Sequence, residues 1–374
     1  MSSRHTSRVD ERGQILVIVG AGMLVFLSMI ALIIDGGHAW GQQRNAQNGA
    51  DAAAEAGAVR LAENLPWTAA GEPVANSDAE VLAAVQSIAV QNEIEVATAV
   101  YTDFDGNNLG LAVGAQGTGA PPANAEGVKV TATKEFDTFL AGIMGFNELT
   151  ARTDATAIAG YIVDEPPSGV LPLTFPVTVP YCDGQNDLIT SADAWVAEQE
   201  YVLPLCSSGP GNVGWLDWTV SGQSAGCSGT GNAELACSIE TPNNPELTIP
   251  GWYFVAQTGN VNSGTVQDAL EGWIDRPATI PLFDATCDSQ PPLATDVCTT
   301  GPGNGQNQYY HFKNWITFTI REVYVSGGAP ECNMPNGGTG CLVGTFHQMF
   351  GNGRITRAVG DESALAKVGV QLIE

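Results

Sequence analysis

The twenty residues ILVIVGAGMLVFLSMIALII, Ile15 to Ile34, decide the architecture of this chain. They carry no charge and are apolar apart from Gly20, Gly22 and Ser28. As a helix they would extend roughly 30 Å, the thickness of a bilayer's hydrocarbon core. Arg4, Arg8 and Arg12 precede the run, whereas Asp35 follows it and no basic residue comes before Arg44. Basic residues beside a span stay on the cytoplasmic side. Residues 1–14 are therefore expected to be a cytoplasmic tail, 15–34 a transmembrane helix, and everything from Asp35 onward extracytoplasmic. The lipid bilayer is the first expected partner. A cleaved signal peptide is the competing reading, with small residues at Gly37-His38-Ala39, but the apolar core is longer than such peptides use.

Beyond the span, residues 35–64 read as a juxtamembrane helix. They are rich in alanine and lack proline. Ala46, Ala50, Ala54 and Ala58 recur every four residues, with Gly49, Ala53 and Gly57 on the adjacent ridge. Small side chains at that spacing form a flat stripe against which another backbone packs closely. The stripe fits a partner's helix and the chain's own domain equally well.

Glu11-Arg12-Gly13-Gln14, the apolar span, Asp35-Gly36-Gly37 and Gln47-Asn48-Gly49-Ala50-Asp51-Ala52-Ala53-Ala54 together carry a resemblance. They look like the N-terminal membrane domain of TadG-like and TadE-like proteins of the tight-adherence (Flp) pilus system. The resemblance covers about the first sixty residues. It implies a pilin-like membrane subunit whose partners are other tight-adherence assembly membrane proteins or pilins. One feature departs from type IV prepilins, which are cut after a glycine and carry glutamate five residues on: Gly13 fits, but Ile18 stands at the glutamate position.

Residues 65–163 read as a small α/β, pilin-like domain. Ser77 and Glu80 form a capping-box pattern opening a helix with Val81, Leu82, Val85 and Ile88 on one face. Ile94, Val96, Thr98 and Val100 alternate as a strand, and Val128–Thr131 and Leu149–Ile162 are further strands. Asp103-Phe104-Asp105-Gly106-Asn107 offers oxygen ligands for calcium, but an EF-hand loop would need glycine at Asn108 and glutamate at Gly114. A hairpin turn is the expected role.

Asp164-Glu165-Pro166-Pro167-Ser168-Gly169 signals a linker, taken as residues 164–176. After it, residues 177–374 are dense in turn residues broken by short strand-like runs: a β-rich, disulfide-containing exported domain, sandwich or barrel. Thr174–Val179, Trp252–Gln257 and Trp315–Val325 are such runs, the last with a register change. The segments PLF (281–283) and GNGQNQYYHFKNWITFTIREVYVSG (303–327) also resemble, more loosely, the C-terminal region of some tight-adherence proteins. All eight cysteines lie here: Cys182, Cys206, Cys227, Cys237, Cys287, Cys298, Cys332 and Cys341. None is spaced as C-x-x-C, which argues against zinc and thioredoxin-like redox chemistry. Disulfides formed after export are expected. Sequential pairing is favoured, because short loops close most readily. The fold class is thus α+β.

Composition narrows function. With 40 acidic and 14 basic side chains the formal net charge is -26. Nucleic acid is excluded as a partner, since phosphate binding needs a basic face. Gly222-Gln223-Ser224-Ala225-Gly226 matches the G-x-S-x-G nucleophile elbow, but the glycine-rich stretch after it is no helix, and only His311 or His347 offers a base. Trp195, Trp215, Trp218, Trp252, Trp273 and Trp315 form either a sugar-stacking face or core filling, and core is the expected use. Some longer members of the resembled family carry a von Willebrand-type D-x-S-x-S metal site; that motif does not occur here. No catalytic residue, cofactor or metal is assigned. The leading reading is a non-enzymatic structural or accessory component of pilus assembly, with a tethered adhesin or glycan-binding module second and a serine hydrolase third.

Overall fold

The computed structural model describes residues 12–69, 74–182, 188–205, 214–218, 227, 231–254, 263–294, 296–299, 309–325, 332, 340–347, 350–351, 353–357 and 366–373. One helix organises the molecule. α1 runs unbroken from Arg12 to Ala69, 58 residues, or about 87 Å at the usual rise. It carries no proline before Pro66, and that lies in its last turn. The juxtamembrane helix expected over 35–64 is therefore the upper half of the same rod.

The first sheet lies against that upper half. α2 (Asp78–Gln91) opens at Ser77, whose backbone N–H donates to Glu80 Oε2 at 2.7 Å. Val81 and Val85 are its buried face, as the spacing predicts. Strands β1 (Glu95–Thr102), β2 (Asn108–Ala112), β3 (Gly127–Asp137) and β4 (Glu148–Ile162) follow. They form an antiparallel sheet in the order β4-β3-β1-β2. Alternation along β4 assigns its two faces. Ala151, Ala155, Ala157, Ala159 and Tyr161 share a core with α1, while Ile158 and Ile162 belong to a second cluster behind the sheet.

The second unit continues through β5 (Asp164–Glu165), β6 (Phe175–Pro176), β7 (Thr178–Cys182), β8 (Leu188–Ala194) and β9 (Glu200–Pro204). Next come α3 (Asn232–Glu240), β10 (Leu247–Thr248), β11 (Gly251–Phe254), α4 (Gly264–Glu271), β12 (Pro277–Cys287), β13 (Tyr309–Tyr324) and β14 (Cys341–His347). Its main sheet has the order β6-β12-β13-β14-β9, with β11 also on β13. β13 shows the register change expected there, between Ile320 and Glu322 opposite β14. Among the described residues α3 and α4 help fill the core, contributing Leu235, Ile239, Val266 and Leu270 to the cluster around Phe318 and Phe346. Both helices are short and lie among glycine, proline and asparagine, so the sequence pattern does not announce them.

The boundaries drawn from sequence differ from the structure at two places. The linker 164–176 is built into the body: Glu165, Val170, Leu171, Leu173 and Phe175 are buried, and β5 and β6 pair with β10 and β12. In addition, β15 (Ile355–Thr356) and β16 (Val368–Ile373) leave the second unit and pair with β4 of the first sheet. Lys367 fastens this return, placing Nζ 2.6 Å from the buried Glu165 carboxylate and 3.2 Å from Thr279 Oγ1. Trp218, Tyr310, Phe312 and Trp315 pack with Ile158 and Ile162 behind β4. The two units therefore share a core.

Candidate functional site

The candidate site is α1, whose two halves meet different surroundings. From Ile15 to Ile34 the large side chains lie bare, with Leu16, Ile18, Leu32 and Ile33 each at least 70% exposed. A bare apolar run of this length is long and apolar enough to cross a membrane. From Ala46 upward the composition becomes small and the environment closes. Ala46, Ala50, Ala53, Ala54 and Ala58 are fully buried, packed with Val81, Val85, Val128 and Val130 and with the alanines of β4. The alanine stripe thus faces the chain's own sheet and α2. Gly57 shows why small residues stand here: a Cβ added to it would lie 2.9 Å from Val85 Cγ2 and 3.1 Å from Val128 Cγ2.

Polar rungs fix the register of the rod on the sheet edge. Gln43 Nε2 donates to the Arg152 carbonyl at 2.8 Å, and Gln47 Nε2 to the Asp154 carbonyl at 3.1 Å. At the far end the Asn64 side chain pairs with the backbone of Asn76 through both its amide and its oxygen.

Asp35 sits where the halves join, and sequence reading gave it only a place in a motif. Its carboxylate accepts the backbone N–H groups of Phe139, Leu140 and Ala141 at 2.8, 3.0 and 2.5 Å. These amides lead into the short 3₁₀ turn Ala141–Met144 in the β3–β4 hairpin tip, of which Ala141 is the first residue. Desolvation opposes the charged form, but the three amide donors outweigh it and hold the carboxyl below its ordinary range. A lone acid ending an apolar run is the signal that could have found it; the partner loop, over a hundred residues away, leaves no trace at that position.

The other singled-out residues are dispersed. Asp103 accepts the backbone N–H groups of Asp105 and Asn107 at 3.0 and 2.8 Å, which makes the D-x-D-x-N segment a turn closed by its own side chain. Trp195, Trp215, Trp218, Trp252 and Trp315 are buried, and Arg276 covers the ring of the half-buried Trp273. His311 Nδ1 faces Asp284 at 2.5 Å and its Nε2 faces the Ala294 carbonyl at 2.8 Å. His347 Nδ1 lies 2.7 Å from Glu198. Gly222–Gly226 falls outside the described residues. Disulfides join Cys227 to Cys237, Cys287 to Cys298 and Cys332 to Cys341. Cys206 and the Cys182 side chain lie outside the description. Among the described residues no group of three or more His, Cys, Asp or Glu side chains could hold a metal ion.

A helix that is bare and apolar below and sheet-bound above, joined at an acid, can be set against known families. Residues 13–60 match the family model of Flp pilus-assembly TadE/G-like proteins. The match takes in the apolar span, Asp35 and the buried stripe through Ala58, and leaves the sheet and the second unit outside it. Comparison with curated proteins and with solved structures gives no match. Among the described residues α1 holds the one run long and apolar enough to cross a membrane, and the family match coincides with that run and the buried stripe after it.

Proposed function

We propose that this chain is an exported structural or accessory component of Flp pilus assembly. In this reading α1 anchors it with its N-terminus in the cytoplasm and its two-unit body outside. The observation that carries this reading is the continuity of α1 through the matched segment: one rod is both the apolar span and the spine of the body. A body built around its own anchor cannot swing freely on a tether, so it is held at a set height above the bilayer. That suits a protein working beside membrane-embedded assembly partners. The partners supported by the family match are other Tad membrane proteins or pilins.

We read the chain as non-enzymatic. Five of the six tryptophans that would make a glycan-stacking face are buried and Arg276 covers the sixth, Trp273, which weakens the support for a tethered adhesin. Of the two histidines available to a hydrolase, His311 has both ring nitrogens engaged, Nδ1 by Asp284 and Nε2 by the Ala294 carbonyl. Removing the chain from its native cell and restoring it tests the proposal. Surface pili should vanish without it and return with the full chain, and crosslinking should recover pilus-assembly membrane proteins. Normal piliation in its absence would overturn the reading.

A further inference from the structure

The β3–β4 hairpin tip presents an apolar surface that the body covers only in part, through the edge contact of His38 on the Phe139 ring. Residues 138–147, TFLAGIMGFN, carry no charge, and Asp137 and Glu148 bracket them. Phe139, Ile143 and Phe146 are 64%, 83% and 62% exposed. Rings and aliphatics of that size clustered on one loop point to an apolar contact.

The tip's position says what the contact is. Ala141 and Leu149 line a groove along α1 with Ser28, Ala31, Leu32 and Asp35. Ser28 lies seven residues below Asp35, about 10 Å along the helix axis. The hairpin therefore reaches down beside the last two turns of the apolar span. Its backbone is also suited to a place without water, where unpaired amides are costly. Asp35 accepts the Phe139, Leu140 and Ala141 amides, while Ile143, Gly145 and Phe146 donate to carbonyls within the tip. Thr138 Oγ1 turns inward to the Phe146 carbonyl. Above Asp35, the exposed Trp40 carries Arg44 over its ring, as aromatic residues do at the level of lipid headgroups.

We propose that the β3–β4 tip is a second membrane contact, with Phe139, Ile143 and Phe146 inserted at the headgroup–acyl boundary of the leaflet where α1 ends. The proposal rests on the reading of Ile15–Ile34 as a membrane span. Two contacts side by side fix the tilt of α1 and its rotation in the bilayer, and with them the orientation of the body, which a single span leaves free. Asp35 is the tie that keeps the tip at that depth.

The test uses the full chain in phosphatidylcholine nanodiscs, with p-benzoylphenylalanine placed singly at Ile143, Phe146, Leu27 or Val90. Val90 is an exposed apolar residue at the end of α2 that lies beside Gly49, well above Asp35 along α1. A protease-resistant body checks that each variant folds. After illumination, mass spectrometry should find lipid adducts at Leu27, Ile143 and Phe146, several-fold above Val90. Adducts at Leu27 with none at Ile143 and Phe146 overturn the proposal and leave the span intact. So do crosslinks from the tip to a second copy in place of lipid, or equal labelling at Val90. Absence of adducts at Leu27 removes the span itself, and the proposal with it.

Discussion

The two halves of α1 share a backbone and differ in what surrounds them. Below Asp35 the helix is built from leucine, isoleucine and valine that touch little of the protein. Above it, alanine and glycine are wholly enclosed. Size and burial thus run opposite to the habit of soluble helices, where large apolar residues go inside. Side-chain volume is spent where the surroundings are fluid and withheld where another backbone must approach. The lower half needs transfer free energy, which grows with apolar area. The upper half needs close contact with a sheet, and contact is set by how little side chain intervenes.

The largest expected effect comes from putting bulk into the enclosed half. Ala50→Leu with Ala54→Leu should destabilise the body by about 1–3 kcal/mol per site, because both positions lie against the chain's own sheet with no room to relax. Low abundance in the membrane fraction, together with loss of pili, is the expected outcome. Normal abundance without pili would instead mean that the stripe serves a partner.

The joint between the halves should respond less, and locally. Asp35→Ala should raise amide exchange across residues 138–147 while the body remains folded. Acid should act in the same direction. The folded carboxyl titrates below its unfolded value. Its contribution is therefore present above the ordinary carboxylate range, about 3.9 for aspartate, and is lost as pH falls through the lowered value. Exchange corrected for its intrinsic pH dependence should show protection of the tip unchanged from neutral pH down to that range. Loss of protection near pH 6 would point to another group.

Bulk in the open half should do least. A Cβ at Gly20 would meet nothing within 4 Å, so Gly20→Leu should leave abundance and thermal stability unchanged. A marked loss would show that this face of the span packs on another helix, which small residues favour in membranes.

What the sequence made legible follows the same division. The long apolar helix was plain, because twenty uncharged apolar residues without proline favour one. The elements of the first sheet were legible because local chemistry sets them: the Ser77–Glu80 box opens α2, and the Asp103 turn joins β1 to β2. Whether Ala46–Ala58 packs inward or outward was not legible, since a small-residue stripe serves either. Nor was the return of β16. Val368-Gly369-Val370-Gln371-Leu372 alternates as an edge strand should, but its partner β4 lies some two hundred residues earlier, and pairing over that distance is fixed by the whole core. The linker misled for a related reason: prolines and glycine suit a hinge and a buried crossing equally, and Glu165 is kept inside by Lys367.

The account stands on the body lying outside the cell's inner compartment, held by one span whose helix becomes its spine. A reporter active only after export, fused after Gly71 and separately before Arg12, measures this directly. The account predicts activity from the fusion after Gly71 and none from the fusion before Arg12. The reverse pattern would place the body in the cytoplasm and contradict it.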